Sequence, residues 1–294
     1  ELWSLFSVVS PGLLGGPEHF RERFVLPIER DKDPHRRQAL ARLLKPFVLR
    51  RTKAAVAPEL PAKTEIDLPI VLSDDERRVY EDARLAARAG LTASGEKARF
   101  ALLAALTRLR LLACHPRLGG ADGESTKLAH LLRLIDDLRA NHHRALVFSQ
   151  FTSHLALVRE ALDARGVTYQ YLDGQTPAAD RERRVREFQR GAGTLFLVSV
   201  QAGGTGLNLT AADYVIHLDP WWNPAVEDQA TGRAHRLGQD KPVTVYRLFA
   251  KDTIEERILA LHRDKRALAG AILDDNGEAN GALSVDELFS LAFG

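Results

Sequence analysis

The residues best suited to chemistry form the string Gln229-Ala230-Thr231-Gly232-Arg233-Ala234-His235-Arg236-Leu237-Gly238-Gln239. Arg233 and Arg236 are three apart, a spacing that puts two side chains on one face of a helix. The string follows Pro224, so it belongs on a helix or at its exit. A guanidinium fork takes phosphate oxygens two at a time, and arginines presented in this way stabilise charge on a phosphoryl group in transfer. Two arginines alone would read as a solvated basic face; the complete Gln-x-x-Gly-Arg-x-x-Arg string points to phosphate chemistry.

A second constellation, Ser199-Val200-Gln201-Ala202-Gly203-Gly204-Thr205-Gly206-Leu207-Asn208-Leu209, follows the apolar run Leu195 to Val200. Its three glycines let backbone amides approach a phosphate or a nucleic-acid backbone closely. Strand exits in parallel sheets are where ligands bind, although a Gly-rich turn by itself is only a tight connection. No Gly-Lys-Ser/Thr follows it or occurs elsewhere, so ATP phosphates lack their usual cradle. Asp136-Asp137 and Asp274-Asp275 lie in or after helical segments, not at the end of an apolar strand where a metal-holding acid pair would sit.

Between these strings runs Tyr214-Val215-Ile216-His217-Leu218-Asp219-Pro220-Trp221-Trp222-Asn223-Pro224. Adjacent side chains of an extended chain point to opposite faces. Either one tryptophan stacks on nucleic acid or both seal the sheet edge, and physics favours neither. Cys114-His115 and His142-His143 lack a supporting ligand set, so no metal site is expected. Asp180 and Glu182 make no acid–base pair without a pocket to raise a pKa.

The elements that must position these groups follow from periodicity. Apolar, β-rich runs at Ala145–Phe148, Val167–Leu172, Leu195–Val200, Tyr214–Leu218 and Val243–Phe249 alternate with helical segments, which implies an α/β, parallel, doubly wound sheet. Thr152 and Thr176, the latter before Pro177, are expected to cap two of those helices. Upstream, Glu18–Phe24, Pro34–Leu44, Asp74–Ala89 (capped by Ser73) and Lys97–Ala113 read as helices. The stretch Pro58–Pro69 holds three prolines around an alternating Thr64–Leu68 and suits a linker feeding a strand. We expect four parts: 1–65, helices and linker; 66–126, a helical insertion; 127–274, the α/β lobe; and 275–294, a tail whose apolar Val285–Phe293 docks back.

At 294 residues, 45% hydrophobic and 27% charged, the chain has the balance of folded domains. Lys+Arg 41 against Asp+Glu 39 argues neither for nor against nucleic acid; only local clusters could, such as Arg50-Arg51-x-Lys53 and Arg181, Arg183, Arg184 and Arg186. The second cluster reads equally as a face interleaved with Glu182 and Glu187. One cysteine excludes a disulfide framework and fits a reducing compartment, so a cytoplasmic protein is expected. No run approaches the ~20 apolar residues that span a bilayer, and no signal pattern opens the chain, so no membrane partner is expected. A chain that opens at Glu1 and holds no methionine reads as a piece of something longer.

The ordered series Leu146-Val147-Phe148-Ser149-Gln150-Phe151, Leu172-Asp173-Gly174-Gln175-Thr176, the Gly-rich loop, Asp219-x-x-Trp222-Asn223-Pro224 and Gln229 to Gln239 resembles the second half of the Swi/Snf family of superfamily-two DNA translocases. The likeness covers roughly Lys127 to Ala271. Upstream, Glu1-Leu2-Trp3-Ser4-Leu5 resembles the segment after the last motif of that family's first lobe, and Pro46-Phe47-x-Leu49-Arg50-Arg51 its helical protrusion. The resemblance implies a RecA-like second lobe of the P-loop NTPase superfamily, with added helical subdomains, in a motor that hydrolyses ATP and steps along double-stranded DNA. ATP and Mg²⁺ would be held mainly by the first lobe, and 1–294 alone would turn over ATP poorly or not at all.

Carried over residue by residue, Arg233 and Arg236 are implied as arginine fingers, positioned by Gln229, with Gly206, Asn208 and Gly232 near the nucleotide. Ser149, Gln150, Gly174, Thr176, Ser199, Gly203 and Gly204 are implied along one DNA strand, contacting phosphates and not reading sequence. Trp222 would couple the DNA groove to the ATP cleft, and Arg50 and Arg51 would add basic contacts. Expected partners are double-stranded DNA, the first lobe and a DNA-bound protein target. Two positions depart from the family pattern: Gln201 stands where a basic residue is common, and Gly232 where many members carry an acid. An RNA helicase lobe shares the architecture, and a DNA- or partner-binding module without ATPase activity is a further reading.

Overall fold

The computed structural model describes residues 2–31, 33–47, 57–90, 96–203, 206–273, 289–290 and 293. Arg50, Arg51 and Gly204 lie outside the described residues. Two compact units are present, one of residues 1–58 with 260–283 and the other of 59–259 with 284–294.

The second unit holds a six-stranded, wholly parallel sheet in the order β1-β6-β5-β2-β4-β3. Its strands are β1 Lys63–Ile70, β2 Ala145–Ser149, β3 Tyr169–Leu172, β4 Leu195–Ser199, β5 Tyr214–His217 and β6 Val243–Ala250. Every residue of β2 and β4 is buried, as expected of central strands covered on both faces. Alternate residues serve opposite faces. Leu146, Phe148, Phe196 and Val198 join a core with Phe188, Leu207, Leu209 and Ala230, whereas Val147, Leu195 and Leu197 join another with Leu131, Ile135, Leu155 and Val158. The parallel, doubly wound sheet read from the sequence is the observed one. β1 occupies the edge, where the missing amide of Pro69 is tolerated. The expected boundary at 65–66 falls inside this strand.

In the same unit the longer helices are α3 Asp74–Gly90, α4 Glu96–Cys114, α5 Thr126–Ala140, α6 Thr152–Ala164, α7 Ala178–Gln189 and α8 Pro224–Thr231, after α1 Leu2–Val9 and α2 Pro34–Leu44 of the first unit. Ser73 begins α3 as a reciprocal cap: its hydroxyl accepts from Glu76 N at 3.3 Å and its amide donates to Glu76 Oε2 at 2.9 Å. The expected threonine caps do not form. Phe151 and Pro177 stand at the N-caps of α6 and α7 without side-chain bonds. The Thr176 hydroxyl instead donates to Asp173 Oδ1 at 2.9 Å and accepts from Asp173 N at 3.1 Å, closing the loop after β3.

In the first unit Phe6, Leu14, Phe20, Phe24, Ile28, Leu40 and Leu44 form a separate helical core. There Asp33 caps α2 by accepting from His35 N at 2.8 Å and Arg36 N at 3.2 Å, with Pro34 at the first helical position. A last helix, α9, spans Ile254–Leu273.

Candidate functional site

All strands being parallel, the loops after β3, β4, β2 and β5 leave the sheet at one edge, and register aligns Ser149 with Ser199 and Leu172 with Val198. The candidate positions of Gln150, Gly174, Thr176, Gly203, Gly206, Asn208 and Trp222 therefore all follow strand C-termini, where open α/β sheets bind ligands.

The two arginines sit just past α8, on its exit and not on the helix itself. Gly232 caps α8, its amide donating to Asp228 O at 2.9 Å, and turns the chain so that Arg233 and Arg236 meet the loop after β4. The backbone oxygen of Arg233 accepts from Leu209 N at 3.0 Å, and Arg236 Nη1 donates to Leu207 O at 3.2 Å. The stretch Gly206–Leu209 and the arginine turn are thus one assembly, with Asn208 and Gln229 exposed beside it. Gly206 adopts φ +56 there, a left-handed conformation suited to glycine. Arg233 is only 8% exposed, and its buried Nε has no hydrogen-bond partner. Burial first, and then the charge of Arg236, pushes its guanidinium below the usual value. An unmet buried donor next to a like charge is a costly arrangement that an anion would relieve.

Ser149 and Ser199 turn inward. The Ser149 hydroxyl bonds the Asp219 carboxylate, and Ser199 Oγ accepts from Ala202 N at 3.3 Å, so any phosphate contact at these positions in this conformation is left to the backbone. Asp219 also accepts from Gln150 N at 3.0 Å, and Gln150 Nε2 donates to Pro220 O at 3.3 Å. Burial alone would raise the Asp219 carboxyl; His154, Ser149 and the Gln150 amide overcome it and hold it at about 2. Gly174 is exposed with open space where a Cβ would stand.

The tryptophans are each half-buried. Trp221 packs on the core beneath the sheet, while Trp222 lies under the Arg110 guanidinium at 4.7 Å. Of the basic cluster on α7, Arg183 pairs with Asp180 at 2.9 Å and Glu187 at 3.2 Å, Arg184 bonds the Tyr171 carbonyl, and Arg181 donates to Ala202 O at 3.3 Å. Much of that cluster is therefore used within the fold.

Sequence reasoning missed the polar knot behind the edge. Lys127 and Glu255, both 1% exposed, pair at 2.5 Å, and Lys127 also donates to Leu218 O at 3.2 Å. Cys114, His154 and Asp219 bring three possible metal-ligand atoms within 4.8 Å of one another, all buried. Charge argues against a metal there. Lys127 and Arg110 already balance Glu255 and Asp219, and a dication would face both cations. Burial pushes the His154 imidazole down and the Cys114 thiol well up. His115, which accepts from Arg117 N at 3.2 Å, is pushed down to about 4 by burial. His143 pairs with Asp213 at 2.6 Å.

The chain matches known proteins over nearly its whole length. Residues 126–238 match the helicase conserved C-terminal domain, and residues 1–118 match the SNF2-related domain. A putative ATP-dependent helicase/translocase, YwqA, of Bacillus subtilis (strain 168) is 37% identical over 99% of this chain and 33% of its own length. The chromodomain-helicase-DNA-binding protein 1-like protein of Mus musculus is 36% identical over 96% of this chain and 32% of its own. The chain thus spans about a third of these relatives. Among solved structures, the Sulfolobus solfataricus SWI2/SNF2 ATPase core in complex with dsDNA superimposes with a TM-score of 0.64 at 28% identity, covering 99% of this chain and 63% of that one. The chain belongs to the Swi/Snf family, and its parallel sheet is the RecA-like fold of that family's helicase C-terminal domain.

Proposed function

We propose that this chain is the second motor lobe of a DNA-dependent ATPase that steps along double-stranded DNA, with Arg233 and Arg236 as its arginine fingers. The observation that carries the reading is the arginine turn docked on Gly206–Leu209, with the Arg233 Nε buried and unpartnered. Such a site suits the phosphates of an ATP bound by a first lobe across a cleft, and Mg²⁺ would be held by that lobe. Gln229, Asn208, Gly206 and Gly232 border the same turn. The fingers would stabilise negative charge on the phosphoryl group in transfer, the largest effect this half can supply.

The loops at the sheet's carboxyl edge form the DNA-facing half. Gln150, the backbone at Ser149, Ser199 and Gly203, and the Gly174–Thr176 loop would hold phosphates without reading bases, with Trp222 facing the DNA groove beside them. Such work belongs in the cytoplasm at the nucleoid, or in a nucleus, with a DNA-bound protein as the object moved.

The test is ATP turnover by the full-length protein with no nucleic acid, with double-stranded DNA and with RNA of equal length, at increasing salt. Stimulation by DNA that falls as salt rises is expected. Stimulation by RNA alone would move the lobe to the RNA helicases, and DNA binding without turnover would make it a binding module.

A further inference from the structure

The turn Pro220–Asn223 carries the half-buried Trp222 at the sheet edge, and its surroundings explain how it is held. Arg110, on α4 and 5% exposed, donates through Nη2 to Pro220 O at 2.8 Å. Its guanidinium also lies 4.7 Å from the Trp222 ring centre and 5.3 Å from that of Phe151, so it stacks against residues of both the β2 and β5 loops. From the other side Glu227 accepts from Trp221 N at 2.8 Å and is itself fixed by Arg247 Nε at 3.1 Å. Arg247 in turn pairs with Glu65 of the edge strand at 2.5 Å.

A cation on the inward face of α4 has no packing reason to be there. Its neighbours along that face, Leu102, Leu106, Leu109 and Ala113, are buried apolar residues, and burying a guanidinium among them costs stability unless it is fully used. Arg110 is used on a carbonyl and two rings that all belong to loops at the DNA-facing edge. A flat, delocalised cation can donate in its plane while stacking above and below it, which an ammonium cannot do.

We propose that Arg110 is a positioning residue through which the helical insertion sets the Pro220–Trp222 turn for contact with DNA. The proposal rests on the DNA-translocase reading for its last step only; the mechanical part stands independently of any ligand. Arg110 itself touches neither nucleotide nor DNA in this account. It acts by removing freedom from the turn, so its loss shows as a weaker grip and not as a slower chemical step.

The experiment compares Arg110→Ala and Arg110→Lys with the wild type in the full-length protein. Hydrogen exchange is followed at the amides of Trp221 to Asn223 and at β4, and ATP turnover is titrated with double-stranded DNA. In Arg110→Ala, exchange at the turn should rise about ten-fold with β4 unchanged, and the DNA concentration for half-maximal turnover should rise about ten-fold while the limiting rate moves less than about two-fold. Arg110→Lys keeps the charge without the planar stack and should fall between the two; it carries the test if the alanine variant does not fold. Unchanged exchange at the turn, a rise spread equally over β4, or a lysine variant matching the wild type overturns the proposal. So does faster exchange at the turn with unaltered half-saturation by DNA. Wild-type protein that DNA does not stimulate contradicts the proposed function instead, and the exchange measurement still decides whether Arg110 positions the turn.

Discussion

Replacing Asp219 by asparagine removes one charge from the centre of the edge while keeping its shape, and the structure fixes what that should cost. The carboxylate is 4% exposed, accepts from Ser149 Oγ and Gln150 N, and titrates at about 2 against an ordinary value of 3.8. A difference of about two pKa units corresponds to about 2–3 kcal/mol of preference for the ionised form in the folded state. Because the folded pKa is the lower one, that stability is fully present above the unfolded value and is lost as pH falls through the folded one. Asp219→Asn should therefore unfold about 2–3 kcal/mol more readily at pH 7 in urea, with the advantage of the wild type reduced by about 1 kcal/mol at pH 3. Tryptophan fluorescence is a suitable signal, since two of the chain's three tryptophans adjoin the site. A variant within about 0.5 kcal/mol of wild type at pH 7, or a difference that stays flat down to pH 3, would refute the claim that a charged Asp219 organises this edge.

Other perturbations have expected sizes. Glu76→Ala removes the acceptor for Ser73 N, Thr126 N and Thr126 Oγ1, tying α3 to α5, and should cost about 2–3 kcal/mol in urea unfolding, with Glu76→Gln losing less. Lys127→Met strands Glu255 in the interior and should cost about 3–5 kcal/mol. Adding Glu255→Leu should recover about half of that, and a double variant worse than either single one would contradict the pairing. Phe196→Ala empties a fully buried position on β4 and should cost about 3–5 kcal/mol by the same assay.

Much of the sheet was legible because it is written locally. Runs such as Ala145–Ser149 and Leu195–Ser199 are apolar throughout, as only strands covered on both faces can be. The arginine string and the Gly-rich loop could be singled out by residue type and spacing alone, and their approach through Leu209 and Leu207 supplies the geometry that spacing lacks. What escaped was long-range. That Thr64–Leu68 pairs with β6 depends on residues some 180 positions away. Lys127–Glu255 and Asp219–Ser149 join parts of the chain that no local pattern connects. The Thr176 cap failed because its hydroxyl is engaged by Asp173 in the loop after β3. Arg110 does carry a local signal: a lone cation within the apolar stripe of Leu102, Leu106, Leu109 and Ala113 is costly enough to demand partners.

The central claim is that Arg233 and Arg236 serve the hydrolysis of ATP, and it is tested most directly by DNA-stimulated ATP turnover in the full-length protein carrying Arg233→Ala or Arg236→Ala. A loss of about 10³-fold or more in the limiting rate is expected for at least one of them, with urea stability within about 1 kcal/mol of wild type. Turnover within about three-fold of wild type in both variants would contradict the account.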